Sequence, residues 1–225
     1  MNFTNQLHEA AKPIWQASFD HPFIKEIANG TLPLDKFKFY LMQDRYYLEQ
    51  FGDLHGEIAN QISDPDIKQF LLDGAAGLHD GETDIRHTMF QELHLTDEDI
   101  KTTPIAPTAY DYVTHMNFQL NNAFPAAAVT ALLPCYWLYS EIGQRLANVK
   151  SPITVYQQFL DSYSAADFEN GTNQMIEIVG KMSEPLTDNQ RDYVEKVFLQ
   201  SSTYELHFWQ MAYTKEHWPF NNLSA

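Results

Sequence analysis

The sequence predicts an all-α fold, built as one helical domain over residues 1–225, and three observations support this prediction. Glycine is scarce, with 9 residues, and no Asn-Gly or Asp-Gly pair lies between alternating strands. Runs of β-branched residues are absent, whereas apolar residues recur at helical spacing. A chain of 225 residues can bury a sizeable core as one compact domain. We therefore expect about eight helices joined by short connections.

Helix boundary signals divide the first half of the chain. Asp20-His21-Pro22 suggests a cap followed by proline in a first helical turn, and Asn29-Gly30 is typical of a helix end. Thr96 to Asp99 has the pattern of a capping box. Helices are predicted over about residues 3–18, 22–28, 34–62 and 65–94, with a short one after Thr96.

The second half begins after residues 102–107, where two prolines make the clearest break in the chain. Ser151-Pro152 is expected to open one helix, and Ser164 or Asp167 to cap the next. Thr187 to Gln190 forms a second capping-box pattern before the last helix. Helices are predicted over about residues 108–119, 124–146, 152–163, 167–182 and 190–215.

Charge and composition limit the binding partners and the cellular compartment that we expect. The formal net charge is −16, which disfavours binding to nucleic acid or to anionic membrane surfaces. The single cysteine excludes an intramolecular disulfide and suits a reducing compartment. The N-terminus lacks the pattern of a signal peptide, so we expect a cytoplasmic protein.

The most apolar segment contains that single cysteine, Cys135, directly after Pro134. Its 17 uncharged residues from Ala123 to Tyr139 approach the lower limit for a membrane span, but two prolines and the lack of basic flanks favour a buried helix. Cys135 is either an inert core thiol or a reactive one, and it shares a helical face with Tyr139. Proline inside a helix is expected to bend it beside Cys135.

Two carboxylates lie among apolar neighbours at helical spacing. Asp44 and Tyr47 are three residues apart, so Asp44 either points toward the core or pairs with a cation at the surface. Glu205 precedes Phe208 and Trp209 by three and four residues. Against these rings its pKa would be raised, which suits a proton donor; the alternative is an exposed side chain.

The sequence gives weaker support to two other classes of enzyme, a metal-dependent enzyme and a serine hydrolase. Inward-facing His79, Glu82, Asp84, His87 and Glu141 could hold two irons in a helical bundle, but the Glu-x-x-His repeat of such sites is missing. A solvated polar face explains residues 79–87 better. No Gly-x-Ser-x-Gly motif indicates a serine hydrolase.

Several motifs occur together along the whole chain. They are Gly30-Thr-Leu-Pro33, Lys36-Phe-Lys-Phe-Tyr40, Gln43-Asp-Arg-Tyr-Tyr-Leu48, Ala131-Leu-Leu-Pro-Cys-Tyr-Trp-Leu-Tyr139, Ser201-Ser-Thr-Tyr-Glu205 and Phe208-Trp-Gln-Met-Ala-Tyr213. Together they resemble the TenA family, also called thiaminase II or aminopyrimidine aminohydrolases. The resemblance implies a single-domain bundle of the haem-oxygenase type without haem, cofactor or metal, and a homotetramer.

The resemblance also implies a role for eight residues. Cys135 would be the nucleophile, Glu205 the proton donor, and Tyr47 a hydrogen-bond partner that favours the thiolate. The substrate-binding residues would be Asp44, Tyr112, Tyr139, Tyr163 and Phe208. Phe159 departs from the family, in which Trp is frequent at this position, and this change is expected to alter packing in the pocket.

The implied activity is hydrolysis of 4-amino-5-aminomethyl-2-methylpyrimidine to the 5-hydroxymethyl pyrimidine and ammonia in thiamin salvage, with thiamin hydrolysis as a side activity. A thiolate is an effective nucleophile toward an electron-poor ring, and the amine-bearing ring carbon is the expected point of attack. Two alternatives stay open: a di-iron oxidase with Glu82, His87 and Glu141 as ligands, and a regulator that binds a pyrimidine without turning it over.

Overall fold

The computed structural model describes the backbone of residues 2–222 and the side chains of residues 2–78, 88–96 and 98–220. Within these residues it contains helices and no strand, so the all-α prediction is confirmed. The helices are α1 Phe3–Phe19, α2 Pro22–Asn29, α3 Leu34–Gln61, α4 Pro65–Glu92, α5 Asp97–Thr102, α6 Pro107–Asn122, α7 Pro125–Leu146, α8 Thr154–Tyr163, α9 Ala166–Ser183 and α10 Asp188–Thr214, followed by a 3-10 turn at Pro219–Asn222.

Most helix ends follow the local signals in the sequence. Thr96 and Thr187 each form a complete capping box, in which side chain and backbone groups satisfy each other. Gly30 ends α2 in the left-handed conformation, with φ 71°. His21 caps α2, because its ring Nδ1 accepts a hydrogen bond from the backbone N–H of Phe23.

Two predicted boundaries are wrong. Helix α8 begins at Thr154 rather than at Pro152, because the preceding loop is attached to α2: Ser151 Oγ donates to the Ile27 carbonyl. Neither Ser164 nor Asp167 caps α9. Ser164 instead ends α8, and Asp167 lies in the first turn of α9, where the helix dipole favours a negative charge.

Helix α7 is the central element of the bundle. It packs against α6, α8, α9 and α10, while α3 packs against α4, α6, α7 and α10. Every residue from Ala126 to Pro134 is buried, which explains why this segment carries no charge. No helix in the described part of the chain is both long and apolar enough to span a bilayer.

Pro134 lies inside α7, and the helix continues through it from Pro125 to Leu146. Proline has no N–H group, so the carbonyl of Thr130 loses its usual donor in the helical ladder. The bend that we expect beside Cys135 stays a prediction.

Candidate active site

Five helices supply the residues that the sequence indicated. Asp44 and Tyr47 lie on α3, Tyr112 on α6, Cys135 and Tyr139 on α7, Tyr163 at the end of α8, and Glu205 and Phe208 on α10. Six of the eight side chains are buried, whereas Cys135 and Tyr163 are half-buried. Hydrogen bonds, ring contacts and electrostatic effects connect them across the bundle.

Glu205 has a strongly perturbed pKa. Its side chain is 1% exposed, and Tyr112 Oη donates a hydrogen bond of 2.8 Å to its Oε1. Burial raises the pKa of Glu205 to about 8; the Tyr112 hydrogen bond opposes the rise, and the negative charge of Asp44 adds to it. Of the two readings of the sequence, the buried one is correct, and Glu205 holds a proton near neutral pH.

Asp44 and Tyr47 share the buried face of α3, with exposures of 4% and 3%. Asp44 therefore points into the bundle and not toward a surface cation. Its negative charge adds to the rise in the pKa of Glu205, which shows that the two carboxyl groups interact. A carboxylate in this setting can orient a polar ligand.

Cys135 lies on the side of α7 that faces this group. Burial raises the pKa of Tyr47 well above its usual value, and the electrostatic interaction with Cys135 is the next largest cause of that rise. Tyr47 Oη is buried and meets no geometric criterion for a hydrogen bond, although an interaction with the Tyr112 hydroxyl contributes to the raised pKa of Tyr47. The hydrogen bond from Tyr47 to the thiol, which the resemblance implies, stays a prediction.

Aromatic rings enclose the polar groups. The rings of Tyr47 and Tyr112 lie 5.0 Å apart, and those of Tyr139 and Tyr163 lie 4.7 Å apart. The ring of Phe208 lies 5.6 Å from that of Tyr47. Such rings can stack on a flat heteroaromatic ligand while the carboxyl groups fix its orientation.

Phe159 packs behind these aromatic rings. It is 3% exposed, and its ring lies 5.1 Å from Tyr163 in an edge-to-face arrangement and 5.6 Å from Tyr40. Phe159 therefore supports Tyr163 from the core side. A different residue at position 159 would therefore change the pocket through its contact with Tyr163.

Sequence reasoning missed two aromatic neighbours of the group. Tyr40 Oη lies 3.3 Å from Tyr139 Oη, and the ring of Trp209 lies 5.1 Å from that of Tyr139. Tyr40 precedes Asp44 by four residues and Tyr47 by seven, so the helical spacing on α3 already placed it on the same face. Trp209 was noted only as a neighbour of Glu205.

The metal-binding alternative gains no support from the described side chains. His79, Glu82, Asp84 and His87 lie outside them. Glu141 accepts a hydrogen bond of 2.5 Å from His8 Nε2 and lies 3.7 Å from Arg145. Among the described side chains, no group of three or more His, Cys, Asp or Glu residues could hold a metal ion.

Comparisons with known proteins agree with this fold. An aminopyrimidine aminohydrolase of Bacillus subtilis is 34% identical over 97% of this chain and 92% of its own length. A TenA homologue from P. horikoshii OT3 superposes with a TM-score of 0.87 at 28% identity, covering 95% of this chain and 99% of the homologue. A Shewanella denitrificans domain described as having a haem-oxygenase-like fold superposes with a TM-score of 0.73 at 12% identity. The superposition covers 98% of this chain and 95% of that domain.

The last of these similarities shows the haem-oxygenase-like fold. The family model described as TENA/THI-4/PQQC matches residues 8–215, which include all eight residues of the candidate site. The chain therefore belongs to the TENA/THI-4/PQQC family.

Proposed function

We propose that this protein hydrolyses 4-amino-5-aminomethyl-2-methylpyrimidine to the 5-hydroxymethyl pyrimidine and ammonia, as a step of thiamin salvage. The observation that supports this most directly is the buried Glu205. Its carboxyl group retains a proton near neutral pH, and Tyr112 holds it in place. A group of this kind is suited to protonate a departing amine. The curated relatives named aminopyrimidine aminohydrolase support the substrate class.

In this proposal Cys135 is the nucleophile and Glu205 the general acid. Tyr47, whose pKa is affected by the charge of Cys135, donates a hydrogen bond to the thiolate and favours it. Asp44 accepts a hydrogen bond from the 4-amino group, and it binds the adjacent ring nitrogen when that nitrogen carries a proton. The substrate ring lies among the aromatic side chains of Tyr112, Tyr139, Tyr163 and Phe208.

The product decides where the thiolate must add. Attack at the amine-bearing carbon C4 would release the 4-amino group and give a hydroxypyrimidine. A hydroxymethyl product requires loss of the amine on the 5-methylene group instead. Addition at C6 permits that loss, because it converts the 4-amino group and C5 into an enamine that can expel a leaving group from the methylene carbon. We therefore replace C4 by C6 as the point of attack.

The bonds and protons then balance. The thiolate forms an S–C6 bond while N1 takes up a proton from solvent, and the enamine breaks the methylene C–N bond. The amine leaves as ammonia with the proton of Glu205. Water adds to the exocyclic methylene carbon and returns a proton to the Glu205 carboxylate. Finally N1 releases its proton to solvent, the S–C6 bond breaks and Cys135 returns as thiolate.

The same sequence would expel the thiazole from thiamin, so the two substrates compete for one site. A substrate panel tests the proposal: the purified protein is incubated with the aminopyrimidine and with thiamin, and ammonia, thiazole and the pyrimidine products are measured. We expect ammonia and the hydroxymethyl pyrimidine in equal amounts, with slower release of thiazole. Binding of the aminopyrimidine without product would instead identify a regulator, and a hydroxypyrimidine product would restore attack at C4.

The proposal also covers the domain organisation, the oligomeric state and the cellular compartment. We propose that residues 1–225 act as one domain, that the protein forms a homotetramer, and that it works in the cytoplasm. The match of the family model to residues 8–215 supports the single domain. The single cysteine is compatible with a reducing compartment.

A further inference from the structure

His55 is a fully buried polar residue that the proposed chemistry does not use. It lies on α3, eight residues after Tyr47, and both of its ring nitrogens have partners. Nδ1 lies 2.7 Å from the backbone carbonyl oxygen of Phe51, and Nε2 lies 2.7 Å from Tyr136 Oη. A buried histidine with two short hydrogen bonds is held in one orientation.

The direction of both hydrogen bonds follows from the partners. A carbonyl oxygen can only accept, so His55 Nδ1 carries the hydrogen and donates to Phe51. Burial lowers the pKa of His55 to about 4, so the ring is neutral near pH 7 and Nε2 is an acceptor. Tyr136 Oη must therefore donate to His55. The pair is a donor and an acceptor whose roles cannot be exchanged.

Tyr136 is the residue that follows Cys135 on α7, and it is held at two points. Its hydroxyl group is bound by His55 of α3, and its backbone carbonyl lies 3.3 Å from Thr172 Oγ1 of α9, whose single hydrogen is shared with the nearer Phe168 carbonyl at 2.9 Å. Helix α4 also lies close: a Cβ at Gly74 would lie 3.1 Å from the His55 ring and 3.4 Å from Tyr136 Oη. Three neighbouring helices thus meet α7 at the residue beside the thiol.

These contacts with neighbouring helices matter at this point because Pro134 interrupts the backbone hydrogen bonds of α7. The missing N–H of Pro134 leaves Thr130 without its ladder partner one turn earlier, so the orientation of α7 here depends more on neighbouring helices. On α3 the rings of Tyr47, Phe51 and His55 form a continuous row, with centroids 5.3 Å and 4.6 Å apart. The row links His55 to the tyrosine that interacts with Cys135.

We propose that the Tyr136–His55 pair is a positioning contact that fixes how α7 presents the Cys135 thiol to Tyr47. Neither residue acts on the substrate: Tyr136 holds the backbone beside the thiol, and His55 holds Tyr136. The effect on turnover rests on the function proposed above, whereas the effect on the thiol itself does not.

The experiment uses the full chain and the pH dependence of alkylation of Cys135 by iodoacetamide, followed by mass spectrometry. With one cysteine in the sequence, the signal has one source. Tyr136→Phe keeps the ring and removes the donor, and His55→Leu removes the acceptor. In both variants we expect the alkylation midpoint to move upward, and kcat for ammonia release to fall about tenfold with KM changed by less than about twofold.

Two further variants separate positioning from general loosening of the core. Tyr156→Phe removes a buried hydrogen bond, 2.6 Å from Tyr156 Oη to the Leu32 carbonyl, on α8 away from the thiol. It should alkylate and turn over as the wild type does. His55→Gln keeps an amide oxygen that can accept from Tyr136, and it should stay closer to the wild type than His55→Leu does.

A Tyr136→Phe variant with the alkylation midpoint and kcat of the wild type would overturn the proposal, as would an equal shift in Tyr156→Phe. If His55→Leu does not fold, Tyr136→Phe decides alone, since it preserves the shape of the core. Failure of the wild type to release ammonia would refute the proposed function and leave the alkylation comparison intact. The two proposals can therefore fail separately.

Discussion

Glu205 retains its proton near neutral pH because its carboxyl group is removed from water and interacts with the negative charge of Asp44. The hydrogen bond from Tyr112 acts in the opposite direction, since it stabilises the carboxylate. These three side chains come from three helices. The chemistry of one residue is thus set by the packing of α3, α6 and α10.

The raised pKa of Glu205 has a consequence for stability. The folded protein holds this proton up to a pH of about 8, whereas the unfolded chain releases it near pH 4.5. Between these values the folded state binds more protons, so the free energy of unfolding falls as pH rises, by about 1.4 kcal/mol per pH unit. We predict that Glu205→Gln removes this slope, which denaturant titrations of both proteins from pH 5 to 7.5 would measure. Equal slopes would contradict the assignment.

Tyr112→Phe tests the hydrogen bond itself. Removal of the Tyr112 hydroxyl takes away the interaction that lowers the pKa of Glu205, so that pKa should rise further. If Glu205 is the general acid, the alkaline limb of kcat/KM should move to higher pH in the variant. A limb that stays in place or moves to lower pH would show that another group controls it.

The sequence could identify these residues only as alternatives. Helical spacing placed Asp44 near Tyr47 and Glu205 near Phe208, but an inward and an outward orientation were equally consistent with each pattern. Which face of a helix is buried depends on the helices that pack against it. The family resemblance supplied that information for the site, but it assigned no role to Tyr40, Tyr136 or His55, although Tyr40 and Tyr136 lie in its motifs.

Helices α7 and α8 approach each other closely at Gly143. A Cβ atom at this position would overlap the backbone carbonyl of Tyr163, at the end of α8. The absence of a side chain at Gly143 therefore lets Tyr163 reach the ring of Tyr139. The close approach of these two helices forms one wall of the candidate site.

We predict that Gly143→Ala displaces the end of α8. The overlap with Tyr163 should destabilise the protein by about 1–3 kcal/mol and raise KM for the aminopyrimidine. Gly171→Ala in α9 is the matched control, because no atom lies within 4 Å of a Cβ built there. That change should be neutral or stabilise by about 0.5–1 kcal/mol. The same loss in both variants would show that the Tyr163 contact is not the cause.

Helix boundaries were predictable where the local chemistry determines them, as at Thr96, Thr187 and Gly30. They were not predictable where a distant contact determines them. The start of α8 is set by the attachment of Ser151 to α2, across more than a hundred residues of sequence. Ser164 likewise ends one helix instead of beginning the next, which its residue type does not reveal.

The whole molecule carries a large negative charge. With 30 acidic and 14 basic side chains, repulsion opposes the folded state at neutral pH. Exposed ion pairs such as Lys181 with Asp64 offset little of this repulsion, since each such pair contributes at most about 1 kcal/mol to stability.

We predict that sodium chloride raises the melting temperature at pH 7, because at about 0.1 M salt the screening length is already about 10 Å. Near the sequence pI of 4.7, where the net charge is small, the same salt should have little effect. Thermal unfolding followed by circular dichroism at both pH values measures this. A melting temperature that falls with salt at pH 7 would show that attractive surface pairs outweigh the repulsion.

The measurement that tests the central claim most directly compares the wild type with Cys135→Ser, with 4-amino-5-aminomethyl-2-methylpyrimidine as substrate. Serine has nearly the shape of cysteine but is a far weaker nucleophile near neutral pH. Ammonia release should be readily measurable in the wild type and lower by at least about a hundredfold in the variant, with the fold unchanged by circular dichroism. Undiminished release by Cys135→Ser would contradict the assignment of Cys135 as the nucleophile.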